Sequence, residues 1–127
     1  MQNQDNLKKG TAEMLILHML HKEDLYGYQI TQAFKEKSDG KYFILEGSLY
    51  NILFRLSENG YISGYIKQVG VKRKRRYYHL EEKGRLYYLQ LLNDYDKVCE
   101  TVSRILDRDS DADMYAKRLK ERNQDIS

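Results

Sequence analysis

Hydrophobic residues recur at helical spacing in four stretches of the chain, a pattern typical of a mainly helical protein. The predicted helices cover about residues 8–22, 24–39, 48–59 and 81–108. Apolar side chains occupy more than one side of the first helix, which predicts that this helix is buried on several sides. Residues 1–6 are polar, and we expect them to be frayed.

The third predicted helix is followed by two short strands. Ser48 is a suitable N-cap for this helix, and Gly60 is a suitable left-handed residue just after its end. Strands are predicted at residues 61–62 and 77–80, with a basic turn over 71–76 between them. One stripe of the helix should face the core and consists of Leu49, Ile52, Leu53 and Leu56. This order predicts a winged helix-turn-helix, a mainly α fold with a small β-hairpin wing (α+β).

The last predicted helix has a heptad rhythm. A stripe with alternating spacings of four and three residues, here called the heptad stripe, consists of Tyr88, Leu92, Tyr95, Cys99, Val102 and Leu106. A lone helix cannot bury such a stripe, so it must pack on the same stripe of a second chain or on the first helix. We expect both contacts together, in a two-fold homodimer whose long helices cross.

Length and composition limit the organisation of the chain. With 127 residues, 41% hydrophobic residues and no proline, we expect one domain with an appended element. A winged helix-turn-helix domain is predicted at residues 7–82 and a dimerisation helix at 83–108. A polar tail follows at 109–127, and its residues 114–122 are a candidate for one more short helix.

The sequence favours a soluble cytoplasmic protein that does not enter a membrane. No apolar run approaches the roughly 20 residues needed to cross a bilayer. The first residues lack a basic segment followed by an apolar one, so no signal peptide is predicted. The single cysteine, Cys99, excludes a disulfide within the chain and fits a reducing compartment.

Positive charge is concentrated in one part of the chain. The formal net charge is only +3, yet residues 67–76 include six cationic residues and no acidic one. Residues 107–113, by contrast, include four aspartates and one arginine. A local cationic cluster beside a short exposed helix is the electrostatic pattern of a nucleic-acid-binding protein.

The helix and wing carry side chains suited to duplex DNA. Asn51 can make a bidentate contact to adenine, Arg55 can reach a phosphate or a guanine edge, and Phe54 can touch a thymine methyl group. Ser48 and Tyr50 can bond phosphates or bases. The wing cations would attract phosphates or enter a narrow minor groove; they are Lys72, Arg73, Lys74, Arg75 and Arg76.

A second interpretation treats the same surface as a protein-binding site. Tyr50 and Phe54 are aromatic residues on the solvent side of a helix, where they could pack against the wing or a partner. The chain would then be an interaction adaptor that does not bind DNA.

An ordered set of motifs resembles the PadR-type transcriptional regulators over about residues 10–108. The motifs are Tyr26-Gly27-Tyr28-Gln29-Ile30, Gly47-Ser48-Leu49-Tyr50, Arg55-Leu56, Asn59-Gly60-Tyr61-Ile62, Arg76-Tyr77-Tyr78-His79-Leu80 and Lys83-Gly84. The resemblance implies a homodimeric repressor that places its third helix and wing on a palindromic operator. Two positions depart from the family pattern: Asn51 stands where a proline is common, and Glu81 where a threonine is common.

The short C-terminal part resembles the compact, multidrug-sensing branch of that family. In that branch a flat aromatic ligand lies at the dimer centre, stacked on a tryptophan of the C-terminal helix. Tyr95 stands at the matching position here. The other implied pocket residues are Met14, Leu17, Tyr88, Leu91 and Leu92, and the implied effector is a small aromatic compound or cationic amphiphile. The alternative is that these side chains fill the dimer interface without any ligand.

Other chemistry finds little support. His18, His21 and Cys99 could be imagined as metal ligands, but no further histidine or carboxylate cluster completes a four-ligand set. No Ser/His/Asp arrangement, phosphate-binding glycine loop or carboxylate pair is visible. We therefore expect neither a metal, nor a cofactor, nor an enzymatic activity.

Overall fold

The computed structural model describes residues 6–8, 10–108 and 120 of the chain. Its elements are α1 (Thr11–Lys22), β1 (Leu25–Tyr26), α2 (Gly27–Lys37), α3 (Glu46–Glu58), β2 (Ile62–Val69), β3 (Arg73–Leu80) and α4 (Glu82–Ile105). The chain divides into two compact units at residues 91 and 92, within α4. The predicted short helix at 114–122 lies outside the described residues, except for position 120.

The core of the first unit is built from the helices and the base of the sheet. Ile16 and Leu17 of α1 are completely buried, which confirms that this helix is enclosed on more than one side. Three residues of the predicted stripe of α3 are confirmed in the core, since Leu49, Leu53 and Leu56 each expose at most 1% of their surface. The fourth, Ile52, is half-buried. Further core side chains are Met14, Met19, Leu20, Leu25, Ile30, Phe34, Ile62, Tyr78 and Tyr88.

The three strands form one antiparallel sheet in the order β1-β3-β2. Leu25 pairs with Tyr78 and Tyr26 with Tyr77, while β2 and β3 pair over their full length. The prediction that a helix begins at Asp24 is therefore wrong, because α2 begins only after β1, at Gly27. The reason is tertiary: β1 satisfies the open edge of β3, and this pairing outweighs the local helical pattern.

The wing, defined here as the hairpin of β2 and β3, is longer than predicted. The expected basic turn over 71–76 is wrong for Arg73–Arg76, which belong to β3; only Gly70, Val71 and Lys72 remain between the strands. Pairing with β2 supplies hydrogen bonds that hold these charged residues in an extended strand.

The ends of α3 show one correction and one confirmation. The helix begins at Glu46, after Leu45 in an extended conformation, so Ser48 lies inside the first turn and is not its N-cap. Gly60 has a φ of 75° and donates to Ser57, while the amide of Tyr61 donates to Leu56. These two bonds form the Schellman motif that ends the helix, as the glycine predicted.

The first two turns of α4 are attached to the end of α3 and to α1. A Cβ on Gly84 would lie 2.0 Å from the carbonyl oxygen of Tyr61, so only glycine allows this approach. The ring of Tyr61 stacks on Tyr87 with centroids 4.2 Å apart, and Tyr88 is hydrogen-bonded to His18 at 2.5 Å. Tyr88 is thus buried within a single chain, with 5% of its surface exposed.

Candidate nucleic-acid interface

The side of α3 opposite the core is open to solvent. The five residues predicted to contact DNA, namely Ser48, Tyr50, Asn51, Phe54 and Arg55, are all exposed along it. Phe54 has 66% of its surface exposed, and Tyr50 has 46%. An exposed helix face with amide, guanidinium and apolar groups matches the donors, acceptors and methyl groups of a major groove.

Tyr50 lies closer to α2 than the sequence suggested. A Cβ on Gly27 would lie only 2.7 Å from the Tyr50 hydroxyl oxygen, so the ring is packed against the first residue of α2. Tyr50 also borders a groove between α2, α3 and β3, here called the α2–wing groove. Its walls include Tyr26, Gly27, Tyr28, Tyr50, Arg75 and Arg76.

Alternation along β3 divides the wing cations between two faces of the sheet. Lys72, Arg73, Lys74 and Arg76 are exposed. Arg75 is half-buried: it donates to the hydroxyl of Tyr26 and lies over that ring, 4.3 Å from its centroid. The predicted DNA contact Arg75 is therefore already engaged in joining β3 to β1.

A row of tyrosines crosses the sheet on the same face as Arg75. Tyr26, Tyr77 and Tyr65 are in register across the three strands, and their neighbouring ring centroids are 5.3 Å and 5.8 Å apart. The ammonium of Lys67 lies 5.2 Å from the centroid of Tyr77. Cross-strand aromatic pairs of this kind stiffen a small sheet. This row cannot be predicted from the sequence alone, because it depends on the strand register.

Asp24 ties the segment before β1 to both strands of the wing. Its carboxylate accepts from the Tyr65 hydroxyl and from Nδ1 of His79, each at 2.8 Å. Partial burial favours a higher pKa for Asp24, but the hydrogen bonds from His79 and Tyr65 outweigh it and lower the pKa. The same bond raises the pKa of His79. This role of Asp24 cannot be predicted from the sequence, since no local pattern links the residue to the wing.

The residues predicted to line a ligand pocket differ widely in exposure. Met14, Leu17 and Tyr88 are buried, whereas Leu91 and Leu92 are half-buried. Tyr95 has 46% of its surface exposed, and a hydrogen bond with Cys99 raises its pKa. Burial raises the pKa of Tyr88.

The C-terminal half of the heptad stripe is exposed. Cys99 is a free and exposed thiol, and Val102 and Leu106 expose 47% and 57% of their surface. Val98 and Ile105, beside the stripe, expose 60% and 76%. This is a row of apolar side chains in contact with water.

Two features are absent from the described part of the chain: a metal-binding cluster and a membrane-spanning helix. Within residues 6–8, 10–108 and 120, no three histidine, cysteine or carboxylate side chains meet where a metal ion could be held. No helix in that part of the chain is both long and apolar enough to span a lipid bilayer.

Comparison with known proteins identifies the family. The chain matches the Transcriptional regulator PadR-like family over residues 16–90, more than half of its length. It is similar to the structure of a transcriptional regulator from Clostridium thermocellum, at 30% identity and a TM-score of 0.73, covering 78% of this chain and 93% of that one. A PadR-like transcriptional regulator from Bacillus cereus is 31% identical, with a TM-score of 0.69 and coverage of 80% and 96%.

A PadR family transcription regulator from hypervirulent Clostridium difficile is also similar, at 26% identity and a TM-score of 0.68. That match covers 76% of this chain and 99% of the other. The family consists of transcription regulators and not of enzymes, and membership implies DNA binding. The chain therefore belongs to the PadR-like family of transcriptional regulators.

Proposed function

We propose that this protein is a dimeric, sequence-specific repressor that binds a palindromic operator in the cytoplasm. The observation that carries the proposal is the exposed face of α3 beside the cationic strand β3. In each protomer α3 enters a major groove, and the wing lies on the adjacent backbone. A dimer bound across a promoter represses transcription by occupying the site.

The contacts divide into those that read bases and those that hold the backbone. Asn51 reads an adenine and Phe54 a thymine methyl group, because both are exposed on α3 and suited to base edges. Arg55 and Ser48 bind a phosphate or a base edge at the ends of this face. Lys72, Arg73 and Lys74 supply attraction that does not depend on sequence.

The second protomer is proposed to cover the exposed apolar row of α4. Tyr95, Val98, Val102 and Ile105 follow spacings of three, four and three residues, so they share one side of the helix. Their exposed fractions range from 46% to 76% in a single chain. An antiparallel or crossed copy of the same helix would remove these side chains from water.

We also propose that a small aromatic compound or cationic amphiphile releases the repressor, as in the multidrug-sensing branch. Tyr95 is the stacking residue in this proposal, because it remains exposed while the Tyr88 hydroxyl is bonded to His18. Leu91 and Leu92, both half-buried, would border the ligand. Met14 and Leu17 would contribute only if the ligand displaced part of the core.

The proposal is tested by selecting duplexes from a randomised pool with wild type and with Asn51→Ala. Wild type should enrich an inverted repeat, because two copies of α3 read it symmetrically. Asn51→Ala should lose discrimination at one base pair per half-site, worth about 1–3 kcal/mol. Transcription from a promoter carrying the repeat should fall when wild type is added. Failure to enrich any duplex, with retention of a protein partner, would favour the adaptor interpretation.

A further inference from the structure

The α2–wing groove contains hydrogen-bond donors that have no partner among the residues that the structure describes. Arg76 lies on the side of the sheet that faces the helices, with its guanidinium above Gly64 and 5.8 Å from the centroid of the Tyr78 ring. Within the described residues, this guanidinium donates to no oxygen and forms no ion pair. The hydroxyls of Tyr28 and Tyr50 likewise have no hydrogen-bond partner there.

Arg76 differs in this respect from the neighbouring Arg75, whose guanidinium has a partner within the chain. Arg75 also borders this groove, but its side chain extends to the opposite face of the sheet, where the ring and hydroxyl of Tyr26 hold its guanidinium. That contact leaves Arg76 as the cation whose donors are open to the groove. No carboxylate is among the side chains that line it. A guanidinium fork lining one groove with two tyrosines is suited to an oxyanion such as a phosphate.

The position of the groove indicates where such an oxyanion would come from. The groove lies between Tyr50 of α3 and Arg76 of β3. The helix α3 and the wing, to which β3 belongs, are the two elements proposed to bind the duplex. When α3 occupies a major groove and the wing contacts the adjacent minor groove, one sugar–phosphate strand must pass between them. Its phosphates therefore cross this groove.

We propose that the α2–wing groove binds one specific backbone phosphate of the operator, through Arg76 and the hydroxyls of Tyr50 and Tyr28. This inference rests on the proposed function and deepens it. Arg76 fixes the register of the protein on the duplex, while Lys72, Arg73 and Lys74 contribute general attraction. Arg75 is a positioning residue that holds β3 against β1.

The test couples one phosphate to one side chain. A duplex selected by wild type is prepared as a series in which single phosphates are replaced by uncharged methylphosphonates. Binding of each duplex is measured for wild type, Arg76→Gln and Lys74→Gln. The Lys74 variant is the control, because it removes the same charge from the same face of β3.

We expect one phosphate per half-site at which the methylphosphonate weakens wild-type binding roughly tenfold, a typical loss for one charge-assisted hydrogen bond. Arg76→Gln should no longer respond to neutralisation at that phosphate, whereas Lys74→Gln should keep the full response. Arg76→Gln should also make the negative slope of log affinity against log salt shallower by about two, because each of the two protomers loses one cation. If methylphosphonate substitution changed the affinity of both variants equally at every phosphate, the proposal would be overturned. The proposed function would still stand, because it rests on duplex binding by wild type.

Gly64→Ala gives a second test that preserves every charge. An added Cβ would lie 2.7 Å from Nε and Nη2 of Arg76, so the guanidinium must move, whereas alanine is compatible with the strand. We expect the same loss of phosphate response as in Arg76→Gln, with no loss of thermal stability. A wild-type response in a folded Gly64→Ala protein would contradict the proposed position of Arg76.

A free anion is the other source of the same chemistry. Calorimetric titration of the protein with inorganic phosphate, without DNA, should give no saturable binding at low millimolar concentration, since the groove is open to water and a free phosphate lacks the other contacts that hold a duplex. Saturable binding that is lost in Arg76→Gln would assign the groove to a free phosphate and overturn the assignment to the operator backbone.

Discussion

Gly84 and Gly47 form a matched pair for testing how α4 is attached to the DNA-binding unit. Both are helical glycines in a first turn, at the start of α4 and α3 respectively. An alanine Cβ at position 84 would lie 2.0 Å from the backbone oxygen of Tyr61, which also accepts from the amide of Glu81. An alanine Cβ at position 47 would meet nothing within 4 Å.

The expected effects have opposite signs. Gly84→Ala forces apart two backbone segments, and this overpacking should lower the free energy of unfolding by about 1–3 kcal/mol. The higher helix propensity of alanine offsets about 0.5–1 kcal/mol of that loss. Gly47→Ala has only the gain and should raise stability by about 0.5–1 kcal/mol. The two variants should therefore differ by roughly 1–3 kcal/mol, the size of the overpacking cost itself.

Urea unfolding monitored by circular dichroism measures both free energies of unfolding under the same conditions. Unchanged m-values would show that the comparison concerns the native state. If Gly84→Ala were as stable as Gly47→Ala, the close approach of α4 to Tyr61 would be wrong.

Three further predictions concern the wing and the C-terminal helix. Because its bond to Asp24 raises the pKa of His79, the contribution of this pair to stability is complete below about pH 6.5 and is lost as pH rises through the folded-state pKa. His79→Gln should therefore flatten the fall in stability above about pH 6.5, by less than about 1 kcal/mol since the side chain is half exposed; an unchanged pH profile in urea unfolding would refute the tie. Arg75→Gln should lower the free energy of unfolding by about 1 kcal/mol because it removes the contact with Tyr26, and an equally stable variant would count against this contact. Val102→Asp should convert the proposed dimer to monomers in sedimentation velocity, since it would place two carboxylates in an apolar interface; a dimer that persists in this variant would exclude this surface.

The helix α3 could be predicted from the sequence because its determinants are local. Leu49, Leu53 and Leu56 repeat at helical spacing, and Gly60 supplies the left-handed residue after the end. The predicted bounds of 48–59 differ from the observed Glu46–Glu58 by no more than two residues. Ser48 was misplaced because a favourable cap residue does not prevent the helix from starting earlier.

β1 could not be predicted in the same way. Leu25–Tyr26 is only two residues long, and its extended state depends on pairing with Tyr77 and Tyr78, far along the chain. No local pattern contains that partner. The same limit explains why Asp24 and the tyrosine row were not anticipated.

In the candidate site, the sequence predicts which residues are cationic but not where their side chains lie. The sequence identifies residues 72–76 as one cationic cluster, but the strand register decides which face each side chain occupies. Arg75 and Arg76 are adjacent in sequence, yet one is bonded to Tyr26 and the other lies over Gly64. Tyr88 followed the heptad spacing but packs on α1, because periodicity does not reveal which neighbour covers a helix face.

The most direct test of the central claim, that α3 and the wing hold a duplex, is the salt dependence of binding to the selected inverted repeat. Affinity is measured across a range of salt concentrations for wild type and for a variant with Lys72, Arg73 and Lys74 changed to glutamine. We predict a steep negative slope of log affinity against log salt for wild type. For the variant the slope should be shallower by up to about five units, since each protomer of the proposed dimer loses three cations. A wild-type slope near zero, or identical slopes for the two proteins, would contradict it.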